Sequence, residues 1–224
     1  MFKSDEENIL EVDSSFENLM HIGLVANNIK VGVIGAGKAS LIKTKTFLGA
    51  GCKVEVLSPR FDIGFRELKS GYLKLKRGKF CKSFLKDKHI VVIGVSNRKL
   101  EKRIIWHCKR LNKLYLVCSD YRLGNLRLGA QKRTDEFVFS LSIRRGNPKL
   151  SKYLAQKILS YLQFYSIFSK WVTDLRSKLK HHPQKDQILE FVCSDDFYYF
   201  FKKGYANKII KLFYEDVWDS EVTR

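Results

Sequence analysis

Residues Ile29–Ile34, IKVGVI, run directly into Gly35-Ala36-Gly37-Lys38-Ala39-Ser40, and this junction constrains the fold more than anything else in the chain. A short apolar run rich in β-branched residues is what a strand buried on both faces requires. Behind the glycines, Leu41, Ile42, Phe47 and Leu48 recur with helical spacing, and Gly49-Ala50-Gly51 ends the pattern. In a strand–glycine turn–helix unit the first glycine makes the tight turn and the second lets backbone approach a pyrophosphate. The helix N-terminus then supplies unpaired N–H groups and partial positive charge. Ser40, at the third position of the pattern, is small enough for close helix–strand packing. The same residues also suit a purely structural turn, so the rest of the chain has to decide.

Strand-like and helix-like segments go on alternating. KVEVLSP (53–59) is predicted as a strand stopped by Pro59, and HIVVIGVS (89–96) as another. LEKRIIWHCKRL (100–111) is predicted as an amphipathic helix, and LYLVCSD (114–120) as a strand ending on a carboxylate. The fold class is therefore α/β, a Rossmann-like parallel sheet. The stretches 61–82 and 121–135 are basic or polar with weak patterning, and FVFSLSIRRG (137–146) reads as one more strand ending in Arg144-Arg145. From Ser151 to Leu179 apolar residues fall at three- and four-residue spacing, predicting one long amphipathic helix, with further helical segments at 188–192 and 209–218. The expected organisation is an acidic lead-in over 1–20, a dinucleotide-binding domain over 21–148 and a helical C-terminal domain over 149–224.

Composition narrows the function. At 45% hydrophobic and 13% aromatic, the chain has the apolar surface that a disordered protein lacks. Its net charge is +19, made up of −5 over residues 1–20, +23 over 21–160 and +1 beyond. Such a field suits nucleic acid, anionic lipid or a highly charged small molecule, and also plain solvation. No apolar run approaches the ~18 residues of a membrane helix, and the MFKSDEEN opening has no signal-peptide pattern. Five scattered cysteines without a CxxC pair suit reduced thiols, so a cytoplasmic protein that does not engage membranes is expected. The five histidines show no metal-ligand spacing, and no resident metal is expected. His181-His182 before Pro183 reads as a helix terminus, and the aromatic run FYYFF (197–201) as core packing.

Taken in order, these motifs resemble the precorrin-2 dehydrogenase/sirohydrochlorin ferrochelatase family, the N-terminal module of siroheme synthases. MHIGLVANNIKVGVIGAGKAS (20–40) is similar to the family's opening strand and glycine turn, and AGCKVEVLSP (50–59) to its second strand. VVIGVSN (91–97) resembles its V-I-A-A-T-[DN], LYLVCSD (114–120) its V-N-V-V-D, and FVFSLSIRRG (137–146) its F-I-F-P-A-x-x-R-R-G. The resemblance covers roughly 20–146. It implies NAD-dependent oxidation of precorrin-2 to sirohydrochlorin, in some members followed by insertion of Fe2+ as a second substrate.

By position, the resemblance makes Asp120 the catalytic aspartate. Physically, a carboxylate at the end of a parallel strand can act as general base or simply cap the next turn. Gly35, Gly37, Lys38 and Ala39 in the glycine turn, Pro59 and Arg60 after the second strand, and Ser96 and Asn97 after the third correspond to cofactor contacts. The second strand is read as ending Leu57-Ser58-Pro59-Arg60, without the usual acid to hold a ribose 2′-OH, and Arg60 suits a 2′-phosphate or solvent, so NADP stays open beside NAD. Arg144 and Arg145 match a basic pair suited to an anionic tetrapyrrole with eight carboxylates. The family also implies a homodimer.

The sequence departs from the family after Gly146. NPKLSKYLAQKI follows there in place of a strand and a Ser/Thr-Gly-Gly-x-Ser-Pro turn. A catalytically degenerate protein that binds tetrapyrrole or NAD is therefore a second reading. A nucleic-acid-binding α/β protein, motivated by charge alone, is a third.

Overall fold

The computed structural model describes residues 19–214 and Val217, so most of the acidic lead-in and the end of the last expected helix lie outside the described residues. The chain forms two compact units that divide between Leu128 and Gly129.

The first unit comprises β1 (Lys30–Ala36), α1 (Lys38–Ala50), β2 (Lys53–Phe61), α2 (Ile63–Arg66), β3 (Leu73–Arg77), β4 (Ile90–Ile93), α3 (Arg98–Arg110) and β5 (Leu114–Val117). Its five strands form a parallel sheet in the order β3-β2-β1-β4-β5. Val31, Val33, Val54, Val56, Ile90 and Val92 pack one face together with Phe47 and Phe65. Ile34, Leu57, Val91, Ile93 and Val117 pack the other with Phe84, Leu85, Ile104 and Cys108. Burial on both faces is why the strands read as nearly continuous apolar runs.

Two strands differ from the sequence expectation. β2 does not stop at Pro59 but runs on to Phe61, which pairs with Ala36 of β1. The β2–β3 ladder ends at Ser58, so the N–H that proline lacks falls beyond that ladder. β3 itself lies in the weakly patterned basic stretch. It is an edge strand whose Lys74, Lys76 and Arg77 are exposed, and charge on an edge discourages pairing with another chain.

The basic run also contains a buried lysine. Lys88 lies across Gly32, where an added Cβ would stand 3.0 Å from both Lys88 Cγ and Phe84 Cε1. Its Nζ donates to Glu55 at 2.8 Å and to Asp87. Burial alone would lower the Lys88 pKa, but the bonds to Asp87 and Glu55 outweigh it and leave the group raised above the usual lysine value.

The second unit pairs β6 (Ala130–Arg133) with β7 (Val138–Leu141) as an antiparallel hairpin, followed by α4 (Pro148–Leu162), α5 (Ser166–Lys178), α6 (Lys185–Val192), α7 (Asp195–Lys202) and α8 (Ala206–Phe213). The segment 137–146 is therefore not a strand of the parallel sheet. It pairs with 130–133, and α4 packs on both strands, with Lys132 bonded to Gln156. This packing puts the division at 128/129 rather than near 148.

The single helix expected over 151–179 is two, broken by a 3-10 turn at Gln163–Tyr165. There Tyr198 Oη donates to the Phe164 carbonyl at 3.0 Å, and its ring stacks on Tyr165. Phe197 is fully buried against Trp171 and Phe191, so the aromatic run contributes to the core. His182 Nδ1 accepts from Gln184 N at 3.1 Å, as a terminus-capping residue does.

Two stability tests follow. Gly35 has φ +92°, and an added Cβ would collide with the Gly94 carbonyl, whereas at Gly37 it would meet nothing within 4 Å. Gly35→Ala should lower the unfolding free energy by about 2–4 kcal/mol in urea titrations, and Gly37→Ala by less than about 1 kcal/mol. Lys88→Met should cost about 3 kcal/mol at neutral pH by leaving Glu55 unpaired. Because the folded Lys88 pKa is raised, its contribution is fully present below the ordinary lysine pKa and is lost above it. The gap between variant and wild type should therefore narrow as pH rises through that range.

Candidate active site

The chain leaves β1 toward β2 and β3 on one side and reaches β4 and β5 on the other, so the topological switch point lies between β1 and β4. In open α/β sheets ligands bind outside the carboxyl ends of the strands at this point. The glycine turn sits there. Gly37 is the N-cap of α1, with extended backbone and no side chain capping the helix, and Lys38 and Ala39 are exposed. Gly35 rests directly on the Gly94 backbone at the end of β4, and a Cβ on Gly94 would collide with Ser40 Oγ. Ser40 is buried in that contact, which accounts for a small residue at the third position of the pattern. An uncapped helix N-terminus beneath open space suits a pyrophosphate, so the residues present fit a dinucleotide.

The end of β2 adds a group that the sequence reading missed. Pro59 and Arg60 are both exposed at this end of the sheet, and Ser58 Oγ donates to the Arg60 carbonyl. Because the strand continues through Phe61, the next residue, Asp62, reaches the glycine turn, and its N–H donates to the Ala36 carbonyl at 2.9 Å. Asp62 Oδ1 accepts from Gly64 N at 3.1 Å. An acid thus stands at the end of the second strand after all, hidden by the assumption that proline ended it.

Ser96 and Asn97 follow β4. Ser96 is exposed, while Asn97 Oδ1 is committed to capping α3 through Leu100 N at 3.0 Å. Glu101, one turn into α3, is only 2% exposed. It accepts from Arg98 Nη1 at 3.1 Å and from Ser119 Oγ at 2.6 Å, tying the loop after β4 to the loop after β5. The cue in the sequence was slight: Glu101 is the one acid in a helix of basic residues.

Asp120 ends the β5 segment and caps a 3-10 turn at Tyr121–Leu123. Its Oδ1 accepts from the Arg122 backbone N and from Arg122 Nε, and its Oδ2 from Arg122 Nη2, each at 3.0 Å. Hydrogen bonds from the Arg122 side chain and backbone hold the carboxyl below its usual pKa, with a smaller contribution from Arg98. The segment beyond the turn folds back along β5, where Asn125 Oδ1 accepts from Tyr115 N at 2.7 Å. The turn is thereby fastened at both ends. Burial raises the Cys118 thiol pKa, which disfavours the thiolate a nucleophile needs.

The structure thus gathers Gly35, Gly37, Lys38, Ala39, Pro59, Arg60, Ser96, Asn97 and Asp120 at the carboxyl ends of β1, β2, β4 and β5. Arg144 and Arg145 lie in the second unit, exposed in the turn closed by Gly146 N to the Ile143 carbonyl rather than on the strand itself. Among the described residues no group of three His, Cys, Asp or Glu side chains is arranged to hold a metal ion, and no helix is long and apolar enough to cross a membrane.

Residues 22–130 match a family model described as "Putative NAD(P)-binding". A relative from Methanocaldococcus jannaschii named "Putative precorrin-2 dehydrogenase" is 25% identical over 176 residues, covering 75% of this chain and 84% of its own length. Among solved structures, "SirC, precorrin-2 dehydrogenase" matches with a TM-score of 0.62 at 19% identity, over 80% of this chain and 92% of that one, a likeness of fold. By sequence the chain is thus similar to a precorrin-2 dehydrogenase relative, it shares the fold of another, and residues 22–130 match an NAD(P)-binding model.

Proposed function

We propose that this protein oxidises precorrin-2 to sirohydrochlorin with NAD as the acceptor. The observation that carries the reading is a carboxylate, Asp120, on the same sheet edge as an open glycine turn, in a chain similar to precorrin-2 dehydrogenases. When bound, the oxidised nicotinamide takes up the hydride. The glycine turn and the α1 N-terminus hold the pyrophosphate, with Lys38, Ala39, Pro59, Arg60, Ser96 and Asn97 around the rest of the dinucleotide. Asp120 removes the proton that substrate loses along with the hydride and passes it to water, which completes the two-electron balance.

NAD is favoured over NADP by Asp62. A carboxylate at the end of β2 accepts from a ribose 2′-OH and repels a 2′-phosphate, whereas Arg60 alone would favour the phosphate. Arg144 and Arg145 are assigned to substrate carboxylates. In a second reaction with Fe2+ as substrate, Asp120 would take the pyrrole N–H protons. We assign the protein to the cytoplasm and to the family's homodimer, which sedimentation would test. A second reading, tetrapyrrole or NAD binding without turnover, is favoured by one feature: Asn147 caps α4 directly after Gly146, where the family has a further strand and a serine-bearing turn.

Asp120→Asn should keep NAD affinity within about twofold in calorimetry while turnover falls by about 100-fold or more. Normal turnover in that variant would remove Asp120 from the mechanism, and absence of turnover in the wild type would favour the binding-only reading. Asp62→Asn should weaken NAD roughly tenfold and narrow its margin over NADP. An unchanged NAD/NADP ratio would take that role from Asp62.

A further inference from the structure

We propose that Arg122 is a carboxylate-exchange residue: it covers Asp120 in the free protein and transfers its guanidinium to a carboxylate of the arriving anionic substrate, uncovering Asp120 as the base. This inference rests on the reading of Asp120 as the proton acceptor. In the free protein the guanidinium grips the carboxylate bidentately, with Nε on Oδ1 and Nη2 on Oδ2. A carboxylate with both oxygens engaged by a cation is a poor proton acceptor. Structure does not require that grip, because the Arg122 backbone N–H already donates to Oδ1 and maintains the cap of the 3-10 turn. The side-chain contact is therefore surplus to the fold.

The pair is also built to exchange. The Arg122 side chain is 69% exposed, and a solvent-exposed ion pair is held only weakly. One carboxylate replaces another on a guanidinium with the same bidentate geometry, so a polycarboxylate ligand competes on equal chemical terms. Few other charges face Asp120. Arg98 acts on it from the start of α3, but Glu101 already binds Arg98. Tyr121 lies beside Arg122, with Arg127 over its ring at 4.0 Å. Among the described residues, Arg122 is the cation bonded directly to Asp120. A depressed Asp120 pKa in the free protein agrees with this arrangement.

The exchange predicts different behaviour of the free and substrate-bound enzyme, which pH profiles separate. The acidic limb of kcat/KM reports the free enzyme, and that of kcat the complex. Arg122→Gln should raise KM for precorrin-2 roughly tenfold or more. It should also move the acidic limb of kcat/KM to higher pH, toward an ordinary carboxylate, and leave the limb of kcat in place. Arg122→Lys, which keeps the charge but loses the fork, should fall between, and guards against misfolding of the first variant. An unchanged KM, or equal shifts of both limbs, would overturn the exchange while leaving Asp120 as the base. Full turnover by Asp120→Asn would instead overturn the underlying reading.

Discussion

The site depends on a contact between main chains. Gly35, in a left-handed conformation, lies against the backbone of Gly94, and Ser40 closes on the same glycine from the first turn of α1. No side chain larger than hydrogen fits at either glycine without displacing a neighbour. The contact fixes the N-terminus of α1 at the carboxyl ends of the paired strands β1 and β4, where the strand order reverses. The rest of the site follows from that position: β2 brings Asp62 to the Ala36 carbonyl, and the loops after β4 and β5 converge through Glu101 and Ser119. Close approach of backbone is thus what turns a parallel sheet into a crevice with fixed walls.

Charge is used at two scales. Locally, the acids at the crevice have partners: Asp120 in Arg122, Glu101 in Arg98, and Asp62 in the Gly64 N–H. Across the unit, the positive excess is less specific. Lys88 is a buried structural cation, and Lys74, Lys76 and Arg77 line an exposed edge strand. These roles account for part of the basic stretch 74–88 through folding and solubility, without a nucleic-acid partner.

The parts of this protein legible in its sequence were those where a single local pattern decides the structure. β1, β4 and β5 are buried on both faces, so their apolar runs identified them, and the position of Asp120 beyond the end of β5 was readable for the same reason. β3 was missed because an exposed edge strand of alternating lysines looks like a solvated loop. β7 was read as a strand without a pairing because strand content does not reveal its partner, and here the partner is the adjacent Ala130–Arg133. The break between α4 and α5 was hidden because helical spacing continues through Gln163–Tyr165, where a tyrosine 34 residues away takes up a carbonyl. Asp62 and Arg122 share one reason for being overlooked. Each matters through a bond to a nearby residue, Ala36 or Asp120, and no periodicity encodes it.

The central claim is that the crevice performs a two-electron oxidation of an anionic tetrapyrrole. The most direct test is a single-turnover experiment in which purified wild-type protein meets precorrin-2 and NAD without oxygen, followed by absorbance and nicotinamide fluorescence together. The account predicts sirohydrochlorin and NADH appearing at the same rate in a one-to-one ratio. Tetrapyrrole binding with no NADH formed, or sirohydrochlorin accumulating at the same rate when NAD is omitted, would contradict it.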